Sequence, residues 1–312
     1  MDRRAPILLT KRPVIGISAC CFGAPLRYNG KGWNMPKVLG REKNDYTWVP
    51  VCPEVMSGLG VPRDPIHIAG TSGEEVWNGD AQVLDRKKRD VTFEVRQGCE
   101  RGLEVLETSK ADAFVYMDGS PTCGVYTTSL KNKRSGKPPG VFGSKLLEKE
   151  LFLIPALDLQ SPVKWWDAKR RLMAYIWLKN ETLHTKKEMY EVWYRYKFIC
   201  QELDEKWARE KGREIANLKG VSEEYGDFFK KDILNLLRKP SKKNRIENSL
   251  WKHYSYYKKW AKEPILDIGD LQTRKNATIL AKELNKMERS ASRENIVFGT
   301  APVYYNPRNI KE

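Results

Sequence analysis

Residues 14–30 read VIGISACCFGAPLRYNG. Val14 to Ala19 have the length and apolar content of a buried strand, and the run delivers two adjacent cysteines into a loop carrying Gly23, Pro25 and Arg27. Ile-Ser-Ala-Cys behind basic residues also has the shape of a lipoprotein cleavage site. Lys11, Arg12 and Pro13 interrupt the apolar stretch that such a signal needs, which argues against it. A free cysteine most often fills space as a small hydrophobe, so the placement of the other cysteines decides whether this pair does more.

Further strand candidates are Thr47 to Val51, Pro65 to Ala69, Ala113 to Met117 and Phe152 to Leu157. Between them lies a helix that Asp90 can cap, with Val91, Val95, Cys99, Leu103 and Leu106 on one face, which makes Cys99 a core residue. A second helix, Gly143 to Glu150, leads into the last strand. This alternation predicts an α/β, Rossmann-like N-terminal domain with a mostly parallel sheet, over residues 12–160. From Ser161-Pro162 the rhythm becomes helical, at roughly 163–180, 184–214, 222–238, 244–262 and 270–289. We expect an all-α domain over 161–298 and an irregular tail over 299–312.

The halves also differ in charge. Residues 1–160 carry 23 Lys and Arg against 19 Asp and Glu, whereas residues 161–312 carry 33 against 21, out of a total of +16. Seven of the ten Trp and ten of the fourteen Tyr lie in the second half. A basic, aromatic-rich helical domain points to a polyanion partner, although a charge run can equally be a solvated helix face. Five of the six cysteines fall in the first half. That is too sparse for a disulfide scaffold in a chain of 312 residues, so free, catalytic or metal-bound thiols in a reducing cytoplasm are expected. No run is long enough to span a membrane. The three His residues are scattered, and neither a Ser-His-Asp triad nor a P-loop is visible.

Cys20, Cys52 and Cys123 each follow the carboxyl end of an expected strand, the edge where open α/β sheets bind ligands. Their spacing is not C-x-x-C, so a zinc ribbon or ferredoxin-like run is not indicated. Three thiolates without a fourth protein ligand would leave a metal position open for chemistry.

The motifs SAC (18–20) with RYNG (27–30), VCPEVMSGLGVPRDP (51–65), and SPTCG (120–124) followed by GVFGSKLLEKELFLIP together resemble the DUF523 family over residues 12–160. That family includes thiouracil desulfidases and relatives that remove sulfur from 4-thiouridine in transfer RNA. The resemblance implies a 4Fe-4S cluster held by Cys20, Cys52 and Cys123, with one iron free for the substrate's sulfur, and a catalytic pair Glu54 and Ser120. Two positions depart from the family pattern: Asn29 stands where the family usually has Asp, and Cys21, a filler or a spare ligand, where it mostly has an aliphatic residue. The helical half resembles the DUF1722 domain of long relatives in size and helicity only.

The chemistry implied is non-redox. A Lewis-acidic iron polarises C=S, Glu54 acts as general base on water or shuttles a proton to the ring nitrogen, and Ser120 positions either group. Read without the family, Glu54 is a carboxylate pairing Arg63 or Arg27. The substrate expected is 4-thiouridine in tRNA, with free thiouracil or thiouridine nucleotides as the alternative. Outside that class stand a non-catalytic RNA-binding protein with a structural metal and a zinc hydrolase. Candidate phosphate contacts are Lys169, Arg170, Arg171, Lys230, Lys231, Lys242, Lys243, Arg245, Lys258 and Lys259.

Overall fold

The computed structural model describes residues 7–126, 128, 138–220, 222–261, 274–291, 294 and 296–305. Two units divide the chain: Pro13–Gln160, and Ser161–Glu312 together with Met1–Arg12. The first element, β1 (Ile7–Leu9), belongs to the latter. The unit from Pro13 then holds β2 (Val14–Ser18), β3 (Thr47–Val51), the single-turn helix α1 (Pro53–Met56), β4 (Ile66–Ala69), α2 (Gly73–Asn78), β5 (Gln82–Asp85), α3 (Thr92–Thr108), β6 (Ala113–Tyr116), α4 (Val141–Glu148) and β7 (Phe152–Pro155).

Its main sheet has the order β3-β2-β6-β7 and is parallel throughout. Ile15 is in register with Trp48 on one side and Ala113 on the other. All four residues of β6 are buried, as a strand covered on both faces requires, which is why Ala-Phe-Val-Tyr reads as a continuous apolar run. From β2 the chain goes outward to β3 and later returns to place β6 on the opposite side. The winding therefore reverses between β2 and β6, and the crevice beyond their carboxyl ends is the natural ligand position.

Helix α3 buries Val95, Cys99 and Leu106, so Cys99 is core as its position on the apolar face implies. A Cβ at Gly98 would stand 2.2 Å from the Pro53 carbonyl oxygen and 2.7 Å from the Ser57 nitrogen. Glycine there lets α3 lie backbone to backbone on α1, fixing the turn that carries Cys52 and Glu54. The helix begins one residue later than a cap at Asp90 would place it, yet Asp90 Oδ1 still accepts from the Thr92 amide at 2.9 Å.

Three expectations change. Ile66–Ala69 is a strand but lies outside the main sheet, pairing antiparallel with β5, a half-polar strand that shows no clear alternation in sequence. In the second unit come α5 (Pro162–Lys179), α6 (Lys186–Leu203), α7 (Glu205–Asn217), α8 (Glu223–Leu237), α9 (Lys243–Trp260), α10 (Arg274–Ala291) and β8 (Val303–Tyr305). The single helix read across 184–214 breaks at Asp204, whose extended backbone stops α6 and whose side chain accepts from the Trp207 amide at 3.0 Å to start α7. The tail read as irregular carries β8, parallel to β1, because Val303 and Tyr304 bury themselves there. Trp166 of α5 joins Leu250, Tyr254, Leu280, Leu284 and Phe298 in this unit's core. Among the described residues no helix is long and apolar enough to cross a membrane.

Candidate active site

Cys20, Cys52 and Cys123 line one cavity of about 700 Å³ at the carboxyl ends of β2, β3 and β6, together with Ser18, Arg27, Glu54, Arg63 and Ser120. Cys20 sits in a single 3-10 turn that continues β2, its carbonyl accepting from the Trp33 amide at 2.7 Å. Cys52 caps α1, immediately ahead of Pro53 and Glu54. Cys123 lies in a tight loop held from two sides. Ser120 Oγ accepts from the Cys123 amide at 3.0 Å and the Thr122 amide at 3.2 Å. The opening amides of α4 at Val141, Phe142 and Gly143, which have no helical partner, donate to the carbonyls of Pro121 and Thr122 at 2.9 to 3.0 Å. A Cβ at Gly143 would fall 1.8 Å from the Gly124 oxygen, so only glycine permits that seat.

The thiols are not equivalent. Cys20 is held below the ordinary value of 9.0, first by the hydrogen bond it accepts from the Cys21 thiol and then by the Arg27 charge, against the effect of burial. The same hydrogen bond, then burial, pushes Cys21 far upward. Cys21 is fully buried and outside the cavity lining, which favours filler over spare ligand. Burial pushes Cys52 up to about 11 and also pushes Cys123 well up, where the neighbouring thiols Cys52 and Cys20 add to the shift. A bound cationic centre reverses such shifts, because a coordinating thiol is deprotonated. Among the described residues no three carboxylate, imidazole or thiol groups converge on a single-ion site.

Glu54 pairs with Arg63, the partner that the plain reading of the sequence offers for it. Arg63 Nε donates to Glu54 Oε2 at 3.0 Å and Nη2 donates to the same oxygen, leaving Oε1 unbonded among the described residues. Nη1 of Arg63 is spent on the carbonyls of Leu26 and Gly60, each at 3.0 Å, so the guanidinium is fixed by the loop after Cys20. Pairing and a place on the cavity wall therefore coexist in one carboxylate. Asn29 accepts from the Lys31 amide at 3.2 Å and is absent from the lining, so at this position a short side chain shapes the turn. Reading for titratable groups misses Ser18, whose buried hydroxyl lines the cavity with no oxygen or nitrogen partner and hydrogen-bonds the Cys123 sulfur. Its signals are a lone polar residue ending an apolar strand and a place in the SAC motif.

The basic clusters read as phosphate contacts divide sharply. Arg170 is buried, binding Glu202 and, at 2.7 Å, Asp167. Arg171 is buried against Asp167 at 2.9 Å and the Leu237 carbonyl at 2.8 Å. Lys169 bonds Asn285 and stands 3.3 Å from Glu288. Arg170 and Arg171 are interior to the helical unit and Lys169 is half-buried on these partners, which corrects the assignment of Arg170 and Arg171 to RNA. Lys230 is half-buried on the Glu181 carbonyl at 3.0 Å. Lys231, Lys242, Lys243, Arg245, Lys258 and Lys259 are exposed.

A family model described as 2-thiouracil desulfurase matches residues 15–157. An uncharacterized protein, YbbK, of Bacillus subtilis (strain 168) is 32% identical over 126 residues, which cover 39% of this chain and 82% of YbbK. Among solved structures, a 4Fe-4S-dependent thiouracil desulfidase, TudS, is 27% identical, covering 46% of this chain and 90% of that one at a TM-score of 0.37. The family match begins in β2 and spans every residue of the cysteine-lined cavity named above. This chain belongs to the 2-thiouracil desulfurase family.

Proposed function

We propose that this protein is a 4Fe-4S-dependent, non-redox desulfidase acting on 4-thiouridine in tRNA, with Cys20, Cys52 and Cys123 as cluster ligands. The observation that carries the reading is the convergence of these thiols with Glu54 and Ser120 on one cavity at the reversal of the sheet. The residues suit the group: a polynuclear cluster takes each thiolate on a separate iron and so tolerates wider spacing than a single ion. The buried Ser18 hydroxyl has no oxygen or nitrogen partner and hydrogen-bonds the Cys123 sulfur instead, which favours the thiolate that a cluster ligand needs.

When bound, the cluster supplies an open, sulfur-binding Lewis acid. The overall change replaces C=S by C=O, consumes one water and releases hydrogen sulfide, with no net electron transfer. Oε1 of Glu54 takes the proton of the attacking water, while Arg63 holds the other carboxylate oxygen. Ser120 spends its acceptor capacity on two loop amides, so its O–H is left to donate to the substrate.

The tRNA assignment is supported by the excess charge of residues 161–312 and the exposed Lys231, Lys242, Lys243, Arg245, Lys258 and Lys259. The family description favours the free base as a second reading. Anaerobically reconstituted protein should be offered thiouracils, thiouridine monophosphate and thiolated tRNA, following thiocarbonyl absorbance and released sulfide. Fastest turnover of tRNA, falling steeply with salt, supports the first reading. Turnover of thiouracil alone installs the second, and no sulfide from any substrate overturns both.

A further inference from the structure

The helical unit holds a second cavity, about 710 Å³, of whose lining the desulfidase reading uses only Arg245. Its volume lies within the range of roughly 300–1,000 Å³ typical of small-ligand sites. Helix α6 contributes Tyr194, Lys197, Phe198 and Gln201, spaced to share one face, and α9 contributes Asn248, Lys252 and Tyr256 at four-residue intervals. Phe298 and Thr300 complete the wall from the chain's last described segment.

Its charge is one-sided. Glu202 and Glu205 are its carboxylates, and both are already engaged: Glu202 with Arg170 and Ser249, Glu205 with Arg209 at 2.6 Å and Arg245 at 3.3 Å. Besides Arg245, which faces Glu205, the lining carries Arg195, Lys197 and Lys252. Lys252 is exposed and has no carboxylate partner among the described residues. Lys197 lies over aromatic rings instead, 4.1 Å from Tyr194 and 4.9 Å from Phe198. Phe198 is 49% exposed and Tyr194 38%, so large rings stand in water beside cations. Core packing does not call for that arrangement, and a solvated basic face does not call for the rings. His253 lies flat on Phe298, centroids 4.4 Å apart, and bonds Thr300 at 2.6 Å. Burial, then the Arg170 charge, pushes its pKa well down, so it adds no charge.

We propose that this cavity binds a nucleotide, the rings of Tyr194 and Phe198 taking the base and Lys252, with Lys197, Arg195 and Arg245, taking the phosphate. Stacking on exposed rings accepts any base, and clustered cations select the phosphorylated form over the nucleoside. The nucleotide is either free or part of an RNA strand. The proposal stands apart from the desulfidase reading, since no thiolated substrate enters its test.

Calorimetric titration of the full chain with AMP, adenosine and inorganic phosphate tests it. AMP should bind at least about tenfold tighter than either fragment. Lys252→Glu and Tyr194→Ala, both at exposed positions, should each weaken AMP by about tenfold while leaving the helical circular dichroism unchanged. A 5′-phosphorylated single-stranded RNA hexamer that displaces AMP identifies RNA as the source, and a hexamer that does not compete identifies free nucleotide. AMP binding no tighter than adenosine, or binding unmoved in both variants, overturns the proposal.

Discussion

The cysteine-bearing sheet unit and the basic helical unit place their charged and reactive groups by opposite rules. In the sheet unit the chemistry sits on loops beyond strand ends: Cys20, Cys52 and Cys123 come from three adjacent strands, and the scaffold behind them is apolar. In the helical unit the most conspicuous basic run turns inward: Arg170 and Arg171 are buried and Lys169 half-buried, around Asp167, Glu202 and Glu288. Topology told where a cysteine would go. Charge alone did not tell where an arginine would go, because burial depends on partners contributed by distant helices.

That contrast can be broken first by stability. Arg170→Met leaves Asp167 and Glu202 partly unpaired in the interior and should destabilise the protein by about 3–5 kcal/mol, measured by chemical denaturation. Burial pushes Asp167 upward, but Arg171 and Arg170 outweigh it and hold its pKa at about 2. Its folded value is thus depressed below the ordinary 3.8, so this contribution is complete above pH 4 and is lost as pH falls toward 2. Reversing Lys242 and Lys243 instead should leave stability within about 0.5 kcal/mol, since these are exposed surface positions.

On the sheet side, Glu54→Gln should keep the bound iron and lower turnover about 10²-fold or more. Retained turnover would return Glu54 to a purely structural partner of Arg63. Ser120→Ala should act differently, lowering iron retention as well as rate, because its hydroxyl anchors the amides of Cys123 and Thr122.

A smaller effect ranks the thiols of the apoprotein. Alkylation requires thiolate, whose fraction rises as pH passes the pKa. Cys20 lies below 9.0 and Cys52 near 11, so Cys20 should be alkylated fastest at pH 8 and reach its plateau at lower pH than Cys52, with Cys99 and Cys200 protected by burial. Mass spectrometry of timed reactions reads this directly. The smallest change expected is in RNA affinity: reversing Lys242 and Lys243 should reduce the salt slope by about one unit for each phosphate no longer neutralised.

The main strands were legible because a sheet buried on both faces writes unbroken apolar runs, as in β2 and β6. The strand pair β1 and β8 was not, since Ile7 meets Val303 only after the whole chain has folded. The split at Asp204 hid within a helical pattern that continues on both sides, where a capping carboxylate resembles any surface acid. At the site, the three cysteines were readable from their strand ends. Arg63's hold on Glu54 was one of two partners open, and the α4 amides beneath Cys123 were invisible because they are backbone.

The proposed cluster site rests on three thiols acting as one ligand set, and iron and acid-labile sulfide in anaerobically reconstituted variants test this most directly. Cys20→Ala, Cys52→Ala and Cys123→Ala should each lose most of the iron and sulfide and all turnover, whereas Cys99→Ala and Cys200→Ala should keep both. Full iron and activity in any of the first three would contradict it.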